Sequence, residues 1–231
     1  AGLHLRRCGS IRLRPVLRGC FGGGVVTVTY HRDLIQGSDD WHQARLGLLT
    51  ASEFKLILTP TLKIANNDKL RAHVWEIAAQ RISNYVEPTY VGDEMLRGMD
   101  DEIIARDLYS KHHAPVEEVG FVTNDKWGFT LGCSPDGLVG ADGGIECKSR
   151  RQKYQVQTIV ENYRDGGIPS DFILQVQGEM LVCEREWWDF ISYSGGLPMA
   201  PIRVYPDREI QAAIIDAAAQ FEASEIGRAH V

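Results

Sequence analysis

The residues best suited to chemistry are two acids and a lysine: Asp136 in Pro135-Asp136-Gly137, then nine residues, then Glu146-Cys147-Lys148. Side chains alternate faces along a strand, so Glu146 and Lys148 point to one side, about 7 Å apart along it, and Cys147 points to the other. If residues 136–140 and 144–148 pair as a hairpin across Gly140-Ala141-Asp142-Gly143, Asp136 is brought close to Lys148 on the shared face. Two carboxylates on rigid strands can hold one or two Mg²⁺, and the backbone carbonyl of Cys147 is placed to add a third oxygen ligand. Such a centre polarises a phosphodiester and activates water. Lys148, its pKa depressed by the metal, would position that water and take its proton. Glu-x-Lys also occurs as alternating charge on exposed strands, and Pro-Asp-Gly as an ordinary turn. The spacing that joins them is what points to hydrolysis.

The elements that must position these groups follow from periodicity. Residues 69–85 carry Leu70, Val74, Ile77, Ala78, Ile82 and Tyr85 at helical spacing. Residues 93–112 form a second helix with Met95, Met99, Ile103 and Leu108 on one side and Glu102 close to it. Short apolar runs broken by Asn-Asp, Ser-Pro-Asp-Gly and Ala-Asp-Gly-Gly predict strands near 119–124, 127–132, 136–140 and 144–148. A helix over 171–184, strands over 187–193 and 200–205, and a helix over 207–224 complete the chain. A β-branched run opens it from Val25, Gly37-Ser38-Asp39-Asp40 caps a short helix, and Thr50 or Ser52 caps the next. This order gives an α+β fold, a central mixed β-sheet flanked by helices.

Composition limits how such a site could meet a polyanion. The chain has 231 residues and a net charge of −6, but residues 1–32 carry six Arg and no acid, so the remainder holds 19 Lys and Arg against 31 Asp and Glu. Binding of nucleic acid through bulk positive charge is excluded, leaving metal ions or a local basic patch. Arg150-Arg151-Gln152-Lys153, just after the lysine strand, is the local candidate for contact with a phosphate backbone. The five Cys are scattered without a CxxC pair, which argues against zinc and a disulfide framework and fits a reducing cytoplasm. No stretch approaches the roughly 20 apolar residues of a membrane helix. Trp187-Trp188 reads as sheet core, and His42, His112 and His113 lack ligand spacing. Residues 1–24, with five Arg and a Gly-Gly-Gly run, are expected to be a non-native or disordered leader. Residues 25–225 are expected to form one domain and 226–231 a tail.

The motifs around the acids resemble the phage lambda exonuclease and YqaJ-type viral recombinase family of the PD-(D/E)xK nuclease superfamily, whose core is restriction-endonuclease-like. Trp41-His42-Gln43-Ala44-Arg45-Leu46-Gly47 through Thr50-Ala51-Ser52 is similar to its opening W-H-x-x-R-x-G-x-x-T-A-S segment. Gly98 to Glu102 resembles its G-x-x-x-E helix, Ser134-Pro135-Asp136-Gly137 and Glu146-Cys147-Lys148 its core, and Gln175-Val176-Gln177 its Q-x-Q helix. The likeness spans about residues 40–185. Where the lambda enzyme has Lys-Cys-Pro, this chain has Lys148-Ser149-Arg150.

That resemblance implies a single nuclease domain over 25–225 and a two-metal Mg²⁺ centre, for which Mn²⁺ can substitute. Asp136, Glu146, the Cys147 carbonyl and Glu102 would be its ligands, and Lys148 the catalytic lysine. It implies that Arg45, Ser52, Ser134 and Gln175 grip a terminal 5′-phosphate. The implied enzyme is a 5′-to-3′ exodeoxyribonuclease on double-stranded DNA ends. It would release 5′-mononucleotides and leave 3′ single-stranded tails for recombination by strand annealing. A ring-shaped homotrimer, a single-strand annealing protein as partner, and a cytoplasmic location in a bacterial, prophage or phage-type system are implied with it. The same core would also suit a restriction-type endonuclease or junction resolvase, and the motifs could serve a DNA-binding module without catalysis.

Overall fold

The computed structural model describes residues 28–88 and 92–226. The leader, the start of the opening β-branched run and the last five residues lie outside them. Two four-stranded sheets of mixed direction form the centre. The first has the order β1 (Val28–His31), β3 (Phe121–Asn124), β4 (Leu131–Cys133), β2 (Leu49–Thr50); the second runs β5 (Gly137–Val139), β6 (Gly143–Ser149), β7 (Trp187–Tyr193), β8 (Ala200–Val204). The mixed sheet expected from the sequence is therefore divided, and the chain crosses from one part to the other through Ser134-Pro135-Asp136, between β4 and β5.

The helices are α1 (Asp39–Arg45), α2 (Phe54–Ile57), α3 (Asp68–Ser83), α4 (Asp93–His112), α5 (Gln152–Gln157), α6 (Ser170–Cys183) and α7 (Arg208–Ile226). Ser38 caps α1 by accepting from Trp41 N. Thr50 precedes a 3₁₀ turn over Ala51–Glu53, and the Glu53 carboxylate accepts from Thr50 N and Oγ1. Residues 152–163, without a helical element in the sequence reading, form α5 and a π-helical turn over Thr158–Tyr163. With α6 they make the crossover that parallel pairing of β6 with β7 requires. The strand expected over 127–132 is confined to Leu131–Cys133, because Asp125–Gly128 closes a turn through Gly128 N to Asp125 O.

Most of the core lies between α6, α2, α7 and the sheets, and includes Phe54, Val176, Met180, Trp188, Phe190 and Ala218. Gly178 lets α6 approach: a Cβ there would stand 2.3 Å from Phe54 Cε2. A second cluster, Ala105, Tyr109, Val139, Ile145, Cys147 and Ile191, seats α4 on the other face of β6.

Two expectations about helix faces need correction. In α3, Val74, Ile77 and Ala78 are buried as expected, but Ile82 in its last turn is exposed, as is Tyr85 just past its end. In α4, Met95, Met99 and Ile103 are each about half exposed, at 49%, 53% and 51%, while Ala105 and Tyr109 make the packed face. Large apolar residues dominate the count of a hydrophobic face. Close seating on a strand instead selects a small Ala and a Tyr whose hydroxyl has a buried acceptor, Asp189.

Candidate active site

β5 and β6 pair antiparallel, Gly137 opposite Ile145, so Asp136 enters the hairpin across from Glu146. The Asp136 Oδ2 accepts Cys147 N at 2.5 Å. Glu146 Oε1 pairs with Lys148 Nζ and accepts Gln175 Nε2 at 2.5 Å. The expected alternation holds: Cys147 packs toward α4, whereas Glu146 and Lys148 face α6, with Lys148 Nζ 5.8 Å from the centre of the Phe172 ring.

Glu102 joins this group from α4. That helix is fixed to the sheet by Ser149 Oγ donating to Asp101 Oδ2 and Tyr109 OH donating to Asp189 Oδ2, both at 2.5 Å. Arg106, one turn beyond Glu102, lies 3.6 Å from its Oε1 and 3.3 Å from Glu118 Oε2, and its Nη1 donates to the Asp136 carbonyl at 3.3 Å. Arg106 and Glu179 were not foreseen. Glu179 is 1% exposed, and its Oε1 accepts Gln175 Nε2 at 2.9 Å. The signal available for both was helical: each stands four residues after a residue already singled out, and so shares its face.

The electrostatics are those of too many acids in too little water. Burial raises the carboxyl pKa of Asp136, and repulsion from Glu146 and Glu102 raises it further. Glu102 and Glu179 are raised for the same reasons, burial first and Glu146 next. Lys148 departs from the sequence expectation. Burial opposes its charge, yet the Glu146 and Asp136 carboxylates outweigh that and hold the ammonium above the ordinary lysine range. These side chains alone therefore keep the lysine protonated, and any lowering of its pKa must come from a cation that competes for the same carboxylates.

Among the described residues no group of three or more His, Cys, Asp or Glu side chains has its donor atoms already gathered as a metal site requires. The contacts explain why, since Lys148 and Gln175 take Glu146 Oε1 while Cys147 N takes Asp136 Oδ2. The donor set nevertheless fits a hard divalent cation. Glu146 Oε2 and Glu179 Oε2 are buried acceptors without a hydrogen-bond partner, which is costly unless a cation or donor meets them.

A second polar cluster sits beyond Ser134. Arg45 Nη1 donates to Ser134 Oγ at 3.0 Å and Nη2 to Thr50 Oγ1 at 3.2 Å, and Thr50 Oγ1 is 3.3 Å from Ser52 Oγ. Trp41 Nε1 also donates to Ser134 Oγ, and the guanidinium lies 4.5 Å from the Trp41 ring centre. Burial lowers the Arg45 pKa and the Glu53 carboxylate partly offsets this; its direct hydrogen-bond partners are hydroxyls and its flanks are rings, so Glu53 reaches this desolvated cation only through Thr50 Oγ1. Gly47, at φ +70°, makes the turn that carries the chain from α1 to Thr50, clamped by Arg81 Nε on its carbonyl at 2.8 Å. Arg45, Ser52 and Ser134, grouped beforehand only by the family resemblance, thus lie together. Gln175 does not join them and stands on the carboxylates.

One cleft of about 1320 Å³ runs from Arg45 and Trp41 to Glu102, Arg106 and Asp136, with Met95 and Met99 of α4 on its wall. Of the basic run after Lys148, Arg151 pairs with Glu94 and Lys153 lies over Tyr154, while Arg150 stacks between Tyr154 and Phe172.

No match was found among proteins of curated function. The alkaline exonuclease LHK-Exo from Laribacter hongkongensis is similar in structure, with a TM-score of 0.67 at 29% identity over 82% of this chain and 95% of that one. The same enzyme in complex with dAMP gives a TM-score of 0.68. A phage-related exonuclease from Haemophilus somnus 129PT shares the fold, with a TM-score of 0.53 at 12% identity, covering 78% and 95% of the two chains. The YqaJ-like viral recombinase domain matches residues 40–186, a span that holds both polar clusters and the hairpin between them, and the chain belongs to that family.

Proposed function

We propose that this protein is a Mg²⁺-dependent 5′-to-3′ exonuclease that takes the phosphorylated 5′ end of a DNA duplex into the cleft and releases mononucleotides. The observation that carries this is the juxtaposition of a desolvated guanidinium, with no carboxylate in direct contact, and a buried surplus of carboxylates; Arg45, Pro135 and Asp136 line the same cleft, and Ser134 ties Arg45 to that segment. The first cluster calls for an anion and the second for a cation, and a metal-bound phosphodiester with a terminal phosphate satisfies both.

In this proposal Arg45, Ser134 and Ser52 grip the terminal phosphate, the guanidinium bidentately and the hydroxyls as donors. Asp136 and Glu146, with the Cys147 carbonyl, would hold the divalent ion, and Glu102 would face a second. Bound there, Mg²⁺ would polarise the scissile phosphate and supply an activated water. Lys148, held on Glu146 Oε1, would orient the attacking water beside the oxygen that Glu146 keeps free. Arg106 holds Glu102 and the Asp136 backbone in register. Gln175 is assigned to Glu146 rather than to the phosphate, because its amide donates to two carboxylates.

The family resemblance supports the remaining features: 3′-tailed products, a homotrimer around DNA, an annealing-protein partner and a cytoplasmic setting. No helix among the described residues is long and apolar enough to cross a membrane. Linear duplex with 5′-phosphate ends, linear duplex with 5′-hydroxyl ends and relaxed circular duplex, each with and without Mg²⁺, test the proposal. Mononucleotides released only with metal, and fastest from phosphorylated ends, are expected. Efficient cutting of the circle would indicate an endonuclease instead, and unchanged duplex at high enzyme would leave a binding module.

A further inference from the structure

We infer that Glu179 is a positioning residue for the metal centre, acting through the Gln175 amide to hold Glu146 with one oxygen free for a divalent cation. The inference rests on the metal-dependent reading of the centre. Gln175 and Glu179 are four residues apart on α6, so their side chains stack on the face turned toward β6. Gln175 Nε2 donates to Glu146 Oε1 at 2.5 Å and to Glu179 Oε1 at 2.9 Å. An amide between two carboxylate oxygens has only one sensible orientation, with NH₂ toward both acceptors.

The consequence falls on Glu146. Its Oε1 is occupied by Gln175 and Lys148, while its Oε2 is buried without a donor and is the oxygen left for a cation. Without Glu179, Gln175 keeps one carboxylate partner instead of two, and its amide can rotate away from Glu146. A Gln in place of Glu179 can also turn its own NH₂ toward Gln175 and draw the Gln175 oxygen round, which would set an acceptor against Glu146 Oε1. Gly178 and Met180, on either side of Glu179, are buried, so the helix cannot roll to compensate. Hydrogen-bonded supports of metal ligands typically contribute 10–100-fold to metal affinity, even though they never touch the ion.

The test is calorimetric titration of Mn²⁺ into the full chain without DNA, with thermal melting as the check on folding. Glu179→Gln should raise the Mn²⁺ dissociation constant about tenfold or more, with the number of bound ions unchanged. Gln175→Ala should do the same. Because Glu179 acts through Gln175, the double variant should be no weaker than Gln175→Ala within about twofold. An affinity for Glu179→Gln within twofold of the wild type overturns the inference, as do losses that multiply in the double variant. Loss of one bound ion in Glu179→Gln also overturns it, and makes Glu179 a ligand. Should Glu179→Gln fail to fold, Glu179→Asp, which keeps the carboxyl group but withdraws its oxygens by one methylene, is read by the same criteria. Asp136→Asn separates the two levels. If it abolishes Mn²⁺ binding while Glu179→Gln does not weaken it, only the role of Glu179 fails. If the wild type binds no Mn²⁺, the metal reading fails and the inference with it.

Discussion

The two polar clusters differ in how each meets the cost of burial. Arg45 is a single cation held by hydroxyls and aromatic faces, with its nearest carboxylate, Glu53, one hydroxyl away. Around Asp136 and Glu146 the acids outnumber the cations, and the surplus is met by Lys148, by a backbone N–H and by raised carboxyl pKa values. The first cluster is prepared for its ligand as it stands. The second is not, because Lys148 and the protons held by its acids offset charge that a cation would otherwise meet, although one Glu146 oxygen is left open. The contrast fits recognition of a DNA end at Arg45 and chemistry at the acids.

Breaking the acidic cluster should have the largest effect. Lys148→Ala is expected to lower kcat by about 10²–10⁴-fold, the range for a group that handles the proton of an attacking water. Binding of a phosphorylated duplex in Ca²⁺ should persist, measured by anisotropy. Near-normal turnover would remove Lys148 from the reaction.

Breaking the cationic cluster should cost less and act on the substrate rather than the step. Arg45→Ala is expected to lower kcat/KM on 5′-phosphorylated ends by about 10–100-fold, in line with the roughly 1.5–3 kcal/mol of a charge-assisted hydrogen bond. Rates on 5′-hydroxyl ends should change little. Arg45→Lys should rescue only part of the loss, because an ammonium cannot reach Ser134 and Thr50 together while facing the phosphate. An unchanged ratio between the two ends would place the phosphate elsewhere.

The two clusters were also unequally legible in the sequence. Alternation along β6 suffices to put Glu146 and Lys148 on one face and Cys147 on the other, and the hairpin follows from its turn residues. Arg45, Ser52 and Ser134 have no such local logic. They lie on α1, the 3₁₀ turn and the β4–β5 crossing, and only the family motif joins them before the fold is known. Gln175 has the helix position that the motif implies but a different partner, since its direction depends on Glu179, which in the sequence is one acid among many. The apolar side of α4 was misplaced because periodicity finds a face but not which element covers it. Ala105 packs where Met99 was expected, and Met99 looks into the cleft.

The smallest effect, a shift in melting temperature with pH, separates the clusters without substrate. Asp136, Glu102 and Glu179 have folded pKa values above those of unfolded carboxyls, which titrate near pH 4. Above about pH 4 the native state therefore binds more protons than the unfolded chain, and stability falls as pH rises. Lys148, raised instead, contributes a stabilisation that is complete below its unfolded pKa of about 10.4 and so is constant in this window. In chelator, the melting temperature should drop by a few degrees between pH 5 and 8, at about 2–4 °C per kcal/mol for a domain of this size. Mn²⁺ should restore more of it at pH 8 than at pH 5, because the cation replaces protons that are leaving. Asp136→Asn removes one titrating group and relieves its neighbours, so its pH slope should be flatter; Arg45→Ala should keep the wild-type slope. A slope shared by all three proteins would mean that the acids around Asp136 do not carry it, and that the surplus charge is relieved by side-chain movement rather than by protons.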